Sequence, residues 1–103
     1  MNIRGEVGVE HEGGARWAAI LESVDWEEIA SRLEITRREM QVVECVCAGH
    51  ADASIASALR ISQNTVHAHI NRLYVKLRVC NRTQLVLVVF VEFVKLSQRS
   101  RGS

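Results

Sequence analysis

Residues 52–78 read DASIASALRISQNTVHAHINRLYVKLR, and their order decides the fold. Asp52 can cap a short helix whose apolar positions are Ile55, Ala56 and Leu59. Arg60-Ile61-Ser62 then makes a turn, and Ser62 is a good N-cap for a longer helix over residues 63–77. The product is a helix, a three-residue turn and a second helix. On a helical wheel Val66, Ile70, Leu73 and Leu77 share one narrow sector, which must pack inward. The opposite side carries Asn64, His67, Ala68, Asn71, Val75 and Arg78, with Thr65, His69, Arg72 and Lys76 along one flank. An apolar stripe, a set of short polar side chains and a cationic edge suit a helix that enters a major groove beside a phosphate strand. An ordinary solvated face also carries charges, and the pattern alone leaves that reading open.

Working toward the N-terminus, Thr36 precedes Arg37-Arg38-Glu39, and Met40, Val43, Val46 and Cys47 follow at helical spacing. This predicts a capped helix running to Ala48 and stopped by Gly49. Trp17, Ile20, Leu21 and Val24 form an earlier apolar stripe, and Trp26, Ile29, Ala30 and Leu33 repeat it out of phase. Asp25 followed by Glu28 is a capping arrangement, so the phase break falls near Ser23 to Asp25 and two short helices are expected. Residues 1–14 hold four of the six glycines and no periodic pattern, which reads as a mobile leader.

Toward the C-terminus, Asn81 or Thr83 can start a last helix that reaches about Lys95, although Leu85 to Val91 would score as strand on propensity alone. The helix is apolar around most of its circumference. Val86, Val89, Phe90 and Phe93 can close the core, leaving Leu87, Val91 and Val94 as a second stripe in need of a cover. That cover is either a second copy of the chain or the Trp17/Trp26 helices folded back within one chain. The expected division is thus a leader at 1–14, an acidic helical extension at 15–34, a helix-turn-helix domain at 35–97 and a tail at 98–103.

Size and composition exclude much else. A chain of 103 residues is one small domain, 48% hydrophobic residues suffice for one core, and 5% aromatics with no proline favour helices. No apolar run is long enough to cross a bilayer and the N-terminus lacks a signal core, so the chain is expected in the cytoplasm with no membrane partner. Cys45, Cys47 and Cys80 read as reduced thiols. Charge is uneven: residues 1–34 carry three Arg against eight acids, a net −5, whereas residues 36–82 carry seven cations against three acids, a net +4. A polyanion should meet the second half. Cys45/Cys47 and His67/His69 are each two apart on a helix and point away from one another, so no metal site is expected and no cofactor is implied. No nucleophile, base and orienting carboxylate fall into a plausible arrangement, which argues against an enzyme.

Ile35-Thr36-Arg37-Arg38-Glu39, Gly49, Ile55-Ala56 with Leu59, Ile61-Ser62 with Thr65-Val66 and His69, Lys76-Leu77 with Val79, and Asn81-Arg82-Thr83-Gln84-Leu85 occur in the order and spacing of one family. Over about residues 35–90 the chain resembles the LuxR/FixJ-type helix-turn-helix domain of bacterial transcription regulators. The resemblance implies an all-α, four-helix DNA-binding domain, here preceded by one or two short N-terminal helices. It puts His67, Ala68 and Asn71 in base-facing slots, where Asn71 suits adenine, His67 a base edge and Ala68 a thymine methyl. It puts Thr65, His69, Arg72 and Lys76 against phosphates, with Thr36, Arg37, Asn64 and Arg82 as outer contacts. The family's last helix commonly pairs with its copy, which implies a homodimer through Leu87, Val91 and Val94.

Departures from the family pattern carry expectations of their own. Arg60 and Arg78 stand where glycine is usual, so each is expected in a left-handed conformation at a cost of about 1 kcal/mol. His67 stands where Lys or Arg is frequent, and an imidazole there would strengthen DNA binding below about pH 6.5. The sequence as given shows no receiver or ligand-binding segment ahead of the domain, so the expectation is either a small stand-alone regulator set by its abundance or by a protein partner, which a start at Met1 favours, or a fragment of something larger. The alternatives are an interaction module that dimerises with a larger LuxR-type regulator, for which the acidic first 34 residues are suggestive, and a piece resembling sigma-factor region four.

Overall fold

The computed structural model describes residues 16–102, so the expected leader at 1–14 lies outside the described residues. Six helices follow in order: α1 over residues 16–22, α2 Trp26–Leu33, α3 Arg37–Cys47, α4 Asp52–Leu59, α5 Gln63–Leu77 and α6 Arg82–Gly102. Among the described residues there is no strand. The β-branched run 85–91 is helical because its Leu85 and Val89, one turn apart, both reach the core. Helix α6 continues to Gly102, past the expected stop near Lys95 and through most of the expected tail.

Local chemistry fixes each boundary. Asp25 accepts a hydrogen bond from the Glu28 N–H at 3.1 Å and opens α2. Thr36 and Glu39 form a reciprocal capping box at the head of α3: the Thr36 hydroxyl accepts from the Glu39 N–H, and the Glu39 carboxylate accepts from the Thr36 N–H at 2.9 Å. Ser62 accepts from the Thr65 N–H at 3.0 Å and opens α5. Asn81 accepts from the Gln84 N–H and opens α6. Asp52 departs from expectation: Ala51 is the N-cap of α4 and makes no side-chain cap bond, because the Asp52 carboxylate is taken up by groups on α5 and α6.

Three helices end in the same way. Glu34, Arg60 and Arg78 adopt φ of 57°, 59° and 60°, and the next residue's N–H returns to a carbonyl five positions back: Ile35 to Ala30, Ile61 to Ala56, Val79 to Tyr74. Each of those three following residues is apolar and packs into or against the core. The left-handed conformation expected at Arg60 and Arg78 is therefore present, and Glu34 adds a third case. Gly49, at φ +88°, ends α3 where a side chain would be strained.

Helix α3 is the hub, packed on α2, α4, α5 and α6, while α4 and α5 pack closely on each other as the helix-turn-helix pair. The core consists of Ile29, Val42, Val43, Ile55, Val66, Leu73 and Leu85, all fully buried, with Val46, Cys47, Ile70 and Val89 beside them. Burial pushes the Cys47 thiol up to about 12, with the Glu44 carboxylate adding to the shift, so this sulfur behaves as a small apolar side chain. The N-terminal helices do fold back on α6. Trp17, Ile20, Leu21, Val24 and Trp26 meet Val86, Val89, Phe90 and Phe93, and the Trp17 indole N–H donates to the Cys47 carbonyl, satisfying an otherwise orphan acceptor at the end of α3. Arg32 of α2 pairs with Glu92 of α6 at 2.8 Å. Leu87 and Val91 lie off this contact, 54% and 48% exposed.

Candidate nucleic-acid interface

Helix α5 divides as its sequence predicts. Val66, Ile70 and Leu73 are buried and Leu77 is half-buried, whereas Asn64, Thr65, His67, Ala68, Asn71, Arg72 and Lys76 are exposed. His69 is intermediate, with its Nδ1 3.4 Å from the Arg72 guanidinium. Val75, in the middle of the outward sector, is 80% exposed. Short side chains at 64, 68 and 71 keep this surface low enough for the helix backbone to approach a base edge.

The flanks come from other elements. The capping box holds Thr36 at the head of α3, and Glu39 of the same box also accepts from the Lys76 ammonium at 2.9 Å. One carboxylate oxygen thus ties the head of α3 to the last turn of α5 and brings Thr36 near Lys76, whereas Arg37 lines a groove with Glu27 and Ser31 of α2. Burial pushes the Glu39 carboxyl up, but the Lys76 hydrogen bond, the Thr36 N–H and the Lys76 charge outweigh it, and the group lies below the usual carboxylate range.

At the other end, Asp52 sits between α5 and α6. One of its oxygens accepts from Arg82 at 2.6 Å and the other from the His67 imidazole Nε2. The second Arg82 nitrogen donates to the His50 carbonyl at 2.7 Å. The Arg82 hydrogen bond and charge, together with His67, hold the Asp52 carboxyl below its ordinary value against a smaller opposing effect of burial.

Ten of the eleven residues expected to touch DNA therefore lie on α5 or are joined to it through Glu39 or Asp52, while Arg37 lines a groove with Glu27 and Ser31 of α2; the side chains of Thr36, Arg37, Asn64, Thr65, Ala68, Asn71, Arg72 and His69 enter no ion pair among the described residues. The other three, His67, Lys76 and Arg82, are each bound to an acid. Sequence reading missed the two acids. Glu39 is legible as part of a cap but not as a partner for a lysine 37 positions away, and Asp52, which by position suits the cap of α4, binds Arg82 and His67 instead. Arg38, Arg60 and Arg78 also form no ion pair among the described residues. No group of three or more metal-ligating side chains occurs among the described residues.

Comparison with known proteins agrees with this geometry. Residues 33–89 match the family described as bacterial regulatory proteins, luxR family. The chain is 43% identical over 54 residues to the uncharacterized transcriptional regulatory protein YhcZ of Bacillus subtilis, a match covering 52% of this chain and 25% of that protein. It is 38% identical over 56 residues to the response regulator protein VraR of Staphylococcus aureus and of Staphylococcus saprophyticus, covering 54% of this chain and 27% of each. The chain thus spans about a quarter of the length of the curated relatives it matches. No solved structure gives a significant match. With the family pattern satisfied over more than half of its length, from the end of α2 to the middle of α6, the chain belongs to the luxR family of bacterial regulatory proteins.

Proposed function

We propose that this domain binds double-stranded DNA and regulates transcription, with α5 lying in a major groove. The observation that carries the reading is the outward face of α5: an uncovered row of short polar side chains, flanked by cations, on a helix whose other side is locked into the core. In this reading His67, Ala68 and Asn71 face base edges, while Thr36, Arg37, Asn64, Thr65, His69, Arg72, Lys76 and Arg82 face phosphates. Binding to random duplex should fall about 10³-fold or more between 50 and 200 mM salt. Arg72→Ala should weaken all sequences alike, and Asn71→Ala should chiefly relax preference at one base pair. Salt-insensitive binding, or none, would overturn the proposal.

A homodimer through α6 completes the reading. Leu87 and Val91 lie one turn apart and exposed, with half-buried Val94 beyond, and a two-fold axis there would set two copies of α5 about 34 Å apart. Sedimentation of Val91→Glu should show a folded monomer where the unmodified chain shows a dimer, and an unmodified chain that sediments as a monomer at tens of micromolar sinks the dimer. The proposed setting is the cytoplasm, and among the described residues no helix is long and apolar enough to cross a membrane. The proposed mode of action is a stand-alone regulator set by abundance or by a protein partner. An immunoblot of the native product near 11.6 kDa supports this, and a larger product refutes it.

A further inference from the structure

We propose that Asp52 is an internal stand-in for a DNA phosphate, holding Arg82 and His67 in the free protein and thereby suppressing non-specific binding. The inference rests on the DNA-binding reading above and goes beyond it, because it assigns a role to an acid on a face otherwise lined with cations.

Three observations carry it. First, both Asp52 oxygens are occupied, one by a guanidinium nitrogen at 2.6 Å and the other by an imidazole nitrogen, which is how two free oxygens of a phosphodiester would be received. Second, the two donors come from α5 and α6 and remain partly open to solvent, their side chains 55% and 39% exposed, so an incoming phosphate can reach them without unfolding anything. Third, Asp52 makes no cap bond to α4, so no local hydrogen bond occupies its carboxylate. Between residues 36 and 82 the other acids are Glu39, which is buried in the capping box, and Glu44, which is half-buried on α3.

The consequence follows from charge alone. To grip DNA, Arg82 and His67 must leave Asp52, or else stay and present a carboxylate to the phosphates. On random duplex the cost is borne in full. At a sequence whose base edge His67 can read, leaving Asp52 gives His67 a base contact in exchange, so the loss is smaller there and the specificity ratio rises while the affinity for random duplex falls.

The test compares random duplex with a sequence selected by the unmodified protein. Asp52→Asn keeps the shape and one acceptor oxygen but removes the charge. It should raise random-duplex affinity about tenfold near 100 mM salt, steepen the slope of log affinity against log salt by about one, and raise affinity for the selected sequence less. In the unmodified background Arg82→Gln should cost random-duplex binding less than twofold, well short of Arg72→Ala; this second variant keeps the proposal testable if Asp52→Asn folds poorly. A folded Asp52→Asn with unchanged or lower random-duplex affinity overturns the proposal, as does an Arg82→Gln loss equal to that of Arg72→Ala. Duplex binding by the unmodified chain that lacks salt sensitivity overturns the DNA reading itself, a distinguishable result.

Discussion

Helix α5 buries Val66, Ile70 and Leu73 along one stripe and leaves the opposite stripe to solvent, whereas α6 is apolar nearly all round over residues 85–94 yet, among the described residues, buries only Leu85 and Val89. In α5 the 3.6-residue pattern leaves a single orientation open: any rotation would bury Asn64 or Asn71 without partners and expose two or three aliphatic side chains. In α6 several rotations are nearly equivalent by pattern, and the orientation is chosen by what docks. Helices α1 and α2 and the turn between them bring Trp17, Leu21, Val24 and Trp26 against Val86, Val89 and Phe93, and the Arg32–Glu92 pair pins the rotation. An amphipathic helix thus positions itself, while an all-round apolar helix is positioned by its neighbours.

The sharpest way to break this comparison is to truncate equivalent residues on the two helices. Leu73→Ala and Leu85→Ala each remove a fully buried side chain and should cost about 3 kcal/mol by urea unfolding. Val75→Ala and Leu87→Ala, at exposed positions of the same helices, should stay within about 0.5 kcal/mol. A large loss for Leu87→Ala at protein concentrations where the chain is monomeric would show that α6 packs internally through a second stripe.

The next effect concerns how α5 is joined to α3. The Glu39 carboxyl is held below its ordinary value in the folded chain, so its contribution is complete above the unfolded value of about 4.5 and is lost as pH falls through the lower folded value. Glu39→Gln retains an oxygen for the Thr36 N–H, and so the cap, but removes the charge that Lys76 faces. It should cost about 1 kcal/mol at pH 7 and less below pH 4, and the acid limb of the stability profile should flatten. An acid limb as steep as that of the unmodified chain would mean that the Lys76 pair contributes nothing to the joint between α3 and α5.

What could be read from sequence follows the same division. The helix-turn-helix, its caps at Thr36 and Ser62, and the inward and outward sides of α5 were legible because they depend on residues three or four apart. The Lys76–Glu39, Arg82–Asp52 and Arg32–Glu92 pairs join residues 30 or more positions apart, and no local signal marks them. The Trp17 bond to the Cys47 carbonyl is of the same kind. Asp52 misled in a more instructive way. An acid at the start of a helix is a capping signal by rank order, but a charged partner at 2.6 Å competes for the same oxygens, and here the guanidinium holds them.

The smallest effect expected returns to the two ends of the helix-turn-helix pair. Arg60 closes α4 and Arg78 closes α5, both left-handed, and a Cβ there costs about 1 kcal/mol that glycine avoids. Glycine loses more backbone freedom on folding, which offsets roughly half of that gain. Arg60→Gly and Arg78→Gly should therefore each stabilise the domain by about 0.5 kcal/mol, or about 2–4 °C in Tm. Neither guanidinium pairs with an acid among the described residues, so no ion pair is lost to blur the measurement. If the strained positions carry arginine for the charge it brings to a duplex, the same two variants should bind random DNA more weakly, with a salt slope reduced by up to about one. Higher stability with unchanged binding would leave the arginines without a role in the interface, and lower stability would show that their side chains contribute packing that outweighs the backbone strain.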